Sequence, residues 1–297
     1  MIRNYGRCVV KTFSEIKITI APTPSDANVV ITATGFTQDG NSIVVYPGTS
    51  ITYTVSKTGY FSKTGTITAY DNQTINVALE EAPYLPEQVV FESSTPGSYT
   101  LNLLAAGTYR IICVGAGGGA AAVSTYKGII LDDHPQTALA VAGGGSGGYS
   151  QSTVSLSAGA HYIQVGSGGA GSSGYNGTGS AVSLTGNTGG GSTFDSTILA
   201  YPGGGGYAYA KSNPPSTHDR SATAGSGGAG ITANGNAGGS DTYGNSSAYS
   251  GTINASGGAS VYGGYGAGGS ASATGNNNHP TANNGGNGYV KVTFVNY

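Results

Sequence analysis

The 297-residue chain reads as all-β, in two parts. A small β-sandwich comes first, and a glycine-rich part combining β-sandwich strands with extended polyglycine II-type segments follows. Three observations predict this. Short apolar–polar alternations recur between Glu15 and Glu81 and again on both sides of the glycine-rich stretch. Turn signals punctuate them every few residues. Of 54 glycines, all but eight lie from Gly115 onward, in clusters such as 117–119, 143–145, 189–191 and 203–206. A segment so poor in side chains cannot build an aliphatic core along its length, whereas glycine lets backbones approach closely.

In the first part, Ile16, Ile18 and Ile20 alternate with Lys17 and Thr19, and a proline-rich turn follows at 21–26. Phrases at 29–33, 42–46, 50–55, 65–70 and 74–79 continue the pattern. Asp39-Gly40-Asn41, Pro47-Gly48 and Asp71-Asn72 mark the turns between them. Strands of this length and spacing predict a two-sheet sandwich over 15–81. Residues 1–14 are expected to be an N-terminal attachment segment, and 82–87, with Pro83 and Pro86, an extended linker.

The second part, 88–297, opens with strand phrases at 88–92, 98–103 and 107–114, and continues with 153–157 and 161–165. It closes on 289–294, where Val290, Val292 and Phe294 share one face. Between the strands, short glycine runs are expected to adopt the three-fold polyglycine II helix and pack side by side through N–H···O contacts. The stretch from Tyr207 to Arg220 is expected to project as a loop. No Gly-X-Y period is present, which excludes collagen.

Only 8% of residues are charged and the net charge is −2, so no electrostatic footprint for nucleic acid or an anionic membrane exists. The 21 tyrosines speak against disorder. Cys8 and Cys113 do not make a disulfide framework, and Cys113, inside a strand phrase, reads as a buried thiol. No signal peptide and no membrane span is legible, so no membrane insertion is expected. A displayed protein without an export signal is expected to be assembled inside a cell and released on a virus particle.

Motifs that mimic chemistry lack their context. Val114 to Ala120, with Asp132 or Asp133 downstream, imitates a dinucleotide fingerprint, but no βαβ alternation follows. Gly144-Gly145-Ser146-Gly147-Gly148 matches a nucleophile-elbow pattern without a strand–turn–helix setting. His134, His161, His218 and His279 share no metal-ligand spacing. His161 alternates with Ile163 and Val165 and reads as a packed histidine. His218-Asp219-Arg220 reads as a polar loop. Asn72, Asn176, Asn245 and Asn254 stand in formal glycosylation sequons that composition alone explains. No cofactor, metal or catalytic residue is expected, and the chain is read as a non-enzyme.

Two resemblances bear on function. Phrases at 18–24, 55–60 ("VSKTGY") and 74–79 resemble the PEGA-like, immunoglobulin-like modules of phage fibres and bacterial surface proteins, which implies a spacer or docking role for 15–81. "GTYRIICVGAGGG", "GGYSQSTVSLSAGAHYIQVGSGG", "GGGSTFD", "YPGGGG" and "GGNGYVKVTF" resemble, in order, the glycine-rich domains at the ends of phage tail fibres and adhesins. The insertion at 126–140 departs from that pattern. The resemblance implies a fibre or adhesin subunit at the virion surface. Its partners would be other virion proteins and a host receptor, either a glycan or an envelope protein. It also implies a homo-oligomer, with a trimer as one form, although no trimerisation heptad is present. The alternatives are a purely structural virion protein, as a capsid decoration or fibre shaft, and a bacterial surface adhesin or matrix protein.

Tyr207, Tyr209, Tyr243, Tyr249, Tyr262 and Tyr265 are the receptor-contact candidates, because they lie in turn-rich, charge-poor stretches beside Asn and Ser. Tyrosine faces stack on sugars and apolar surfaces, and they equally fill gaps between glycine layers. Both readings stand at this point.

Overall fold

A computed structural model describes residues 14–127, 136–213, 217–245, 251–275 and 279–297. Residues 1–13 with Cys8, the Asp132-Asp133-His134-Pro135 segment and Tyr249 lie outside them, and the side chain of His218 is likewise not described. The described residues form strands and no helix, and the chain divides into two compact units at Leu85/Pro86.

The first unit is a seven-stranded sandwich of β1 (Ile16–Thr23), β2 (Asn28–Thr32), β3 (Gln38–Asp39), β4 (Ser42–Val45), β5 (Thr49–Ser56), β6 (Lys63–Ala69) and β7 (Gln73–Ala78). One sheet has the order β3-β4-β1-β7, with β1 and β7 parallel, and the other the order β2-β5-β6. The alternation seen in sequence sends Ile16, Ile18, Ile20, Val29, Ile31, Ile43, Val45, Ile51 and Val55 into one aliphatic core. Tyr84 in the proline-bracketed segment is buried, and Leu85 packs beside Gly59. This half of the expected linker therefore rests on the first unit.

The second unit begins with β8 (Val89–Ser93), β9 (Gly97–Leu103), β10 (Gly107–Val114), β11 (Ala121–Lys127), β12 (Gln136–Ala142), β13 (Tyr149–Leu156), β14 (Gly159–Val165), β15 (Ser172–Asn176) and β16 (Val182–Thr185). It continues with β17 (Ser192–Phe194), β18 (Ile198–Ala200), β19 (Tyr207–Asn213), β20 (Thr217–Thr223), β21 (Ser240–Asn245), β22 (Thr252–Ala255), β23 (Ala271–Thr274), β24 (Thr281–Ala282) and β25 (Tyr289–Asn296). These strands gather at two ends of a polyglycine bundle.

At one end, the base, sheet β13-β10-β25-β8 faces sheet β18-β17-β14-β9. Tyr109, Ile111 and Cys113 of β10 point inward beside Phe294, Val292 and Val290 of β25. The Tyr109 and Phe294 rings meet edge to face at 5.3 Å. Burial pushes the Cys113 thiol up to about 12, so it is an inert core group, and it forms no disulfide with any described residue.

At the other end three sheets stack. The central one, β15-β11-β12-β21, is covered on both faces. Ala121, Val123, Ala138 and Ala140 pack on Ala208 and Ala210 of sheet β16-β19-β20. Ala122, Leu139 and Val141 pack on Ile253, Ala255, Ala271 and Ala273 of sheet β22-β23-β24. The stretch expected as a loop from Tyr207 is thus the strand pair β19–β20. In Tyr207-Ala208-Tyr209-Ala210 the alanines are small enough to fit between layers, so the period-two pattern wins over the polar composition.

Ten extended segments join the two ends: 115–120, 143–148, 166–171, 186–191, 201–206, 224–229, 234–239, 256–260, 266–270 and 283–288. The segment at 115–120 shows their logic. Its successive N–H groups donate to Gly148, Gly190 and Gly286, and then, three residues on, to Gly145, Asn187 and Asn283 of the same three neighbours, at 2.8–3.1 Å. Its carbonyls accept from Gly203 and Gly206, from Gly169 and Ser172, and from Gly269. Six neighbours therefore surround it. A three-residue turn with no internal hydrogen bond is the polyglycine II helix, and this is its hexagonal packing. Segment 143–148 is surrounded in the same way, donating to 234–239, 266–270 and 201–206 and accepting from 115–120, 224–229 and 256–260. Two interior helices and eight around them account for all ten. At about 3.1 Å per residue, the bundle is about 19 Å long.

Glycine is required here by crowding. A Cβ on Gly117, Gly118 or Gly119 would overlap the carbonyl oxygens of Ala267, Gly204 and Ala170 respectively. On the outside, side-chain amides complete the lattice: Asn287 and Asn284 accept from the N–H groups of Gly168 and Gly171 at 3.1 and 2.9 Å. We predict that Gly118→Ala lowers the unfolding free energy of the second unit by more than about 4 kcal/mol, the range of severe steric lesions. Gly191→Ala, whose new Cβ would come no nearer than 3.5 Å to its neighbours, shifts it by less than about 1 kcal/mol. Denaturant unfolding followed by circular dichroism of the paired variants checks this.

Candidate functional site

The six candidate tyrosines do not converge on one place. Tyr207 and Tyr209 stand on the outer face of β19, opposite the alanines that pack into the three-sheet block. The Tyr207 hydroxyl accepts from Ser183 Oγ at 3.3 Å. Cross-strand partners Ser183 and Ser221 flank Tyr209, and Thr185 and Thr223 flank Tyr207. The result is two half-exposed rings on a hydroxyl-bearing sheet face at the end of the bundle opposite β8 and β25. Tyr243 packs against the alanine core on the block's other side. Tyr249 lies outside the described residues.

Tyr262 and Tyr265 belong to the base. They flank the tight turn at Gly263 and Gly264, whose φ values of 56° and 86° call for glycine. The turn is closed by the Tyr265 N–H donating to the Tyr262 carbonyl at 3.0 Å. Ser260 Oγ accepts from the Tyr262 N–H at 3.2 Å. Both rings lie on the outer face of β10 and β25 in a four-tyrosine stack. Tyr149 meets Tyr262 at 4.9 Å, Tyr262 meets Tyr289 at 5.8 Å, and Tyr289 meets Tyr265 at 4.2 Å. Ile112 and Val114 lie beneath them. Burial raises the Tyr289 hydroxyl well above the usual tyrosine range, and the Glu92 carboxylate that accepts its proton at 2.7 Å adds to this. The ring faces of Tyr262 and Tyr289 are spent on each other and on their neighbours, so the geometry favours packing as the role of this group.

Sequence reasoning missed a second cluster in the base. His161 is buried in β14 and stacks on Phe194 at 5.6 Å. Its Nδ1 lies 2.6 Å from the Asp195 carboxylate and its Nε2 3.0 Å from the Ser157 carbonyl. Both partners only accept, so the doubly protonated imidazolium is the form that satisfies both contacts, which favours protonation. The His–Asp pair has the look of two-thirds of a hydrolytic triad. The position a nucleophile would occupy is taken by a main-chain carbonyl, which has no proton to give. Among the described residues, no group of three or more His, Cys, Asp or Glu is placed to hold a metal ion. The alternation of His161, Ile163 and Val165 marked the histidine as inward-facing. Nothing in the sequence marked Asp195, 34 positions away, as its partner.

Two expectations follow. Tyr265→Ala removes a half-buried ring from the stack and destabilises the second unit by about 2 kcal/mol, while Tyr209→Ala costs less than about 1 kcal/mol; chemical denaturation of both variants tests the contrast. For His161, burial alone lowers the pKa, but the Asp195 hydrogen bond, the Ser157 carbonyl and the Asp195 charge together raise it above 6.5. A raised folded-state pKa stabilises the protein fully below 6.5 and loses that contribution as pH climbs through the folded value. The melting temperature of the second unit therefore falls over that interval, and His161→Phe flattens the profile. An NMR titration of the His161 ring protons assigns the transition.

The chain matches two family models. Residues 15–80 match a head fiber dimeric protein-like domain, and residues 93–296 match a glycine-rich domain. No curated protein matches it. The first match falls on the aliphatic sandwich and fits a virion-associated, oligomerising module. Together the two fit a phage fibre-like structural protein. The second match spans more than half of the 297 residues, base, bundle and block together, and the chain accordingly belongs to the glycine-rich domain family.

Proposed function

We propose that the protein is a non-catalytic virion fibre subunit that attaches the particle to its host through the second unit. The carrying observation is the polyglycine bundle itself. It holds the three-sheet block about 19 Å away from the base sandwich on a lattice whose two interior segments are glycine apart from Ala116, Ala120 and Ser146. A spacer of this kind serves to present the faces at its ends. The Tyr207–Tyr209 face, with hydroxyls of Ser183, Thr185, Ser221 and Thr223 around two half-exposed rings, is suited to a cell-surface glycan or envelope protein. The first unit supplies docking and pairing between copies, which the description of its matching family supports. Weak single contacts then gain strength from the number of fibres on a particle.

The test is adsorption competition. Purified full-length chain is expected to slow phage adsorption to host cells, and Tyr207→Ala combined with Tyr209→Ala is expected to weaken that competition at least about tenfold with the melting temperature unchanged. Tight association with particles and no competition would instead assign the chain to a purely structural role as a fibre shaft or capsid decoration.

A further inference from the structure

The outer face of the base sheet β18-β17-β14-β9 carries a largely exposed tyrosine. Tyr162 is 67% exposed, and its ring meets no aromatic or cationic partner among the described residues. Tyr149, Tyr262, Tyr265 and Tyr289 spend their faces on one another, whereas the Tyr162 ring is left largely exposed. Beside it lies a groove of about 290 Å³ whose polar lining is Ser98, Thr100, Gln164, Thr193 and Ser196, with Tyr99 and Ile163 also in its wall. These residues are neighbours by register: Thr100 pairs with Tyr162, and Ser98 and Thr193 flank Gln164 on either side. The polar side chains of the lining are Ser and Thr hydroxyls and one amide, groups that both donate and accept, and no charged side chain lines it.

The groove is also pre-set. At its rim, Asp195 and Ser196 both hold positive φ, 47° and 54°, in a turn where neither is glycine. Each such residue costs of order 1 kcal/mol and persists only where the surroundings enforce it. The enforcement is visible. The Asp195 N–H donates to the Tyr162 carbonyl at 2.8 Å, the Asp195 carboxylate accepts from the Tyr162 N–H at 2.7 Å, and its other oxygen lies 2.6 Å from His161 Nδ1. The backbone of Tyr162 is thus clamped from both sides, and the buried imidazole stacked on Phe194 holds the clamp from below. Both Asp195 carboxylate oxygens are engaged in this clamp, and Asp195 is not among the residues that line the groove. Ser98 Oγ donates to Gln164 Oε1 at 2.6 Å, so the Gln164 amide is fixed in orientation as well.

We propose that this groove is a binding site for a neutral saccharide. The C–H face of a pyranose lies on the Tyr162 ring, and its hydroxyls exchange hydrogen bonds with Gln164, Thr100, Thr193 and Ser196. An open aromatic face beside fixed, uncharged donors and acceptors meets both surfaces of such a ligand, and a rigid platform reduces the ordering cost of holding it. The site is in the base, apart from the Tyr207–Tyr209 face, and it stands independently of the attachment reading: sugar binding is measured on the purified chain without phage or host cells.

Saturation-transfer NMR on the full-length protein, with maltotriose and chitotriose as probes, decides the matter. Transfer to the ring protons of at least one of them is expected. Tyr162→Ala is expected to weaken binding about tenfold or more, as for truncation of a central aromatic anchor, while Tyr162→Phe retains it. Gln164→Ala weakens it without altering the melting temperature, so the proposal remains testable if Tyr162→Ala perturbs the sheet. Absence of transfer from both trisaccharides overturns the proposal. So does transfer that is unchanged in Tyr162→Ala or in Gln164→Ala.

Discussion

The second unit depends on one interaction, repeated: a backbone N–H of one polyglycine helix donating to a backbone carbonyl of another, with the direction advancing by a third of a turn at each residue. In sheets each strand has two neighbours; here segments 115–120 and 143–148 each have six. Every polar group of these buried segments must find a partner, and glycine alone lets the backbones come near enough. The lattice replaces the aliphatic core as the source of cohesion, and it tolerates few side chains inside. Ala116, Ala120 and Ser146 are the exceptions within the two interior segments, and Ser146 Oγ satisfies a lattice donor, the Asn236 N–H, at 2.8 Å.

Such a lattice has a cost that the rest of the unit offsets. Glycine loses more backbone freedom on folding than any other residue, and polyglycine II makes no hydrogen bonds within its own helix, so an isolated segment has nothing to hold its shape. The strands at the two ends supply what is missing. Each of 115–120, 143–148, 166–171 and 201–206 is entered from a strand at one end and left into a strand at the other, so ordinary sheet register fixes where the lattice begins. Two pairs among the ten segments, 224–229 with 234–239 and 256–260 with 266–270, instead turn directly at the base, at 230–233 and 261–265, and there isolated bridges between Tyr149 and Ala233 and between Tyr262 and Tyr265 take the place of strands. The tyrosine stack belongs to this repair: it pins the second of these turns to the outer face of β10 and β25.

How much of this was legible in the sequence depends on which rule ruled locally. Where aliphatic alternation was strong, as in Tyr109 to Val114, Ile163 to Val165 and Val290 to Phe294, the strands and their inward faces could be read directly. In Tyr207-Ala208-Tyr209-Ala210 the same alternation was present, but alanine carries too little apolar surface to stand out, and the stretch read as a loop. Polyglycine geometry could be anticipated from composition, yet its hexagonal order could not. The period of three is written in backbone directions, and glycine at successive positions leaves no trace of it in residue type. The His161–Asp195 clamp was hidden for a different reason, since the strained turn at Asp195 and Ser196 uses none of the residues that announce positive φ. Tyr162 was legible in principle: it alternates with His161 and Ile163, so it had to face outward.

The two units consequently answer to different forces. The first is held by an aliphatic core of isoleucine and valine and so carries the heat-capacity signature of apolar burial. The bundle is held by neutral amide contacts shielded from solvent by one another, which salt screens little and pH does not titrate. One unfolding free energy does not describe such a chain, because the two cohesions fail under different conditions. The two interior segments present almost only backbone, and side chains are carried by the outer segments, the turns and the strands at the ends. Lengthening or shortening the polyglycine segments would change the reach of the block and leave the faces of both end assemblies as they are. Separation of reach from the end faces is what the proposed attachment role would require of the fold.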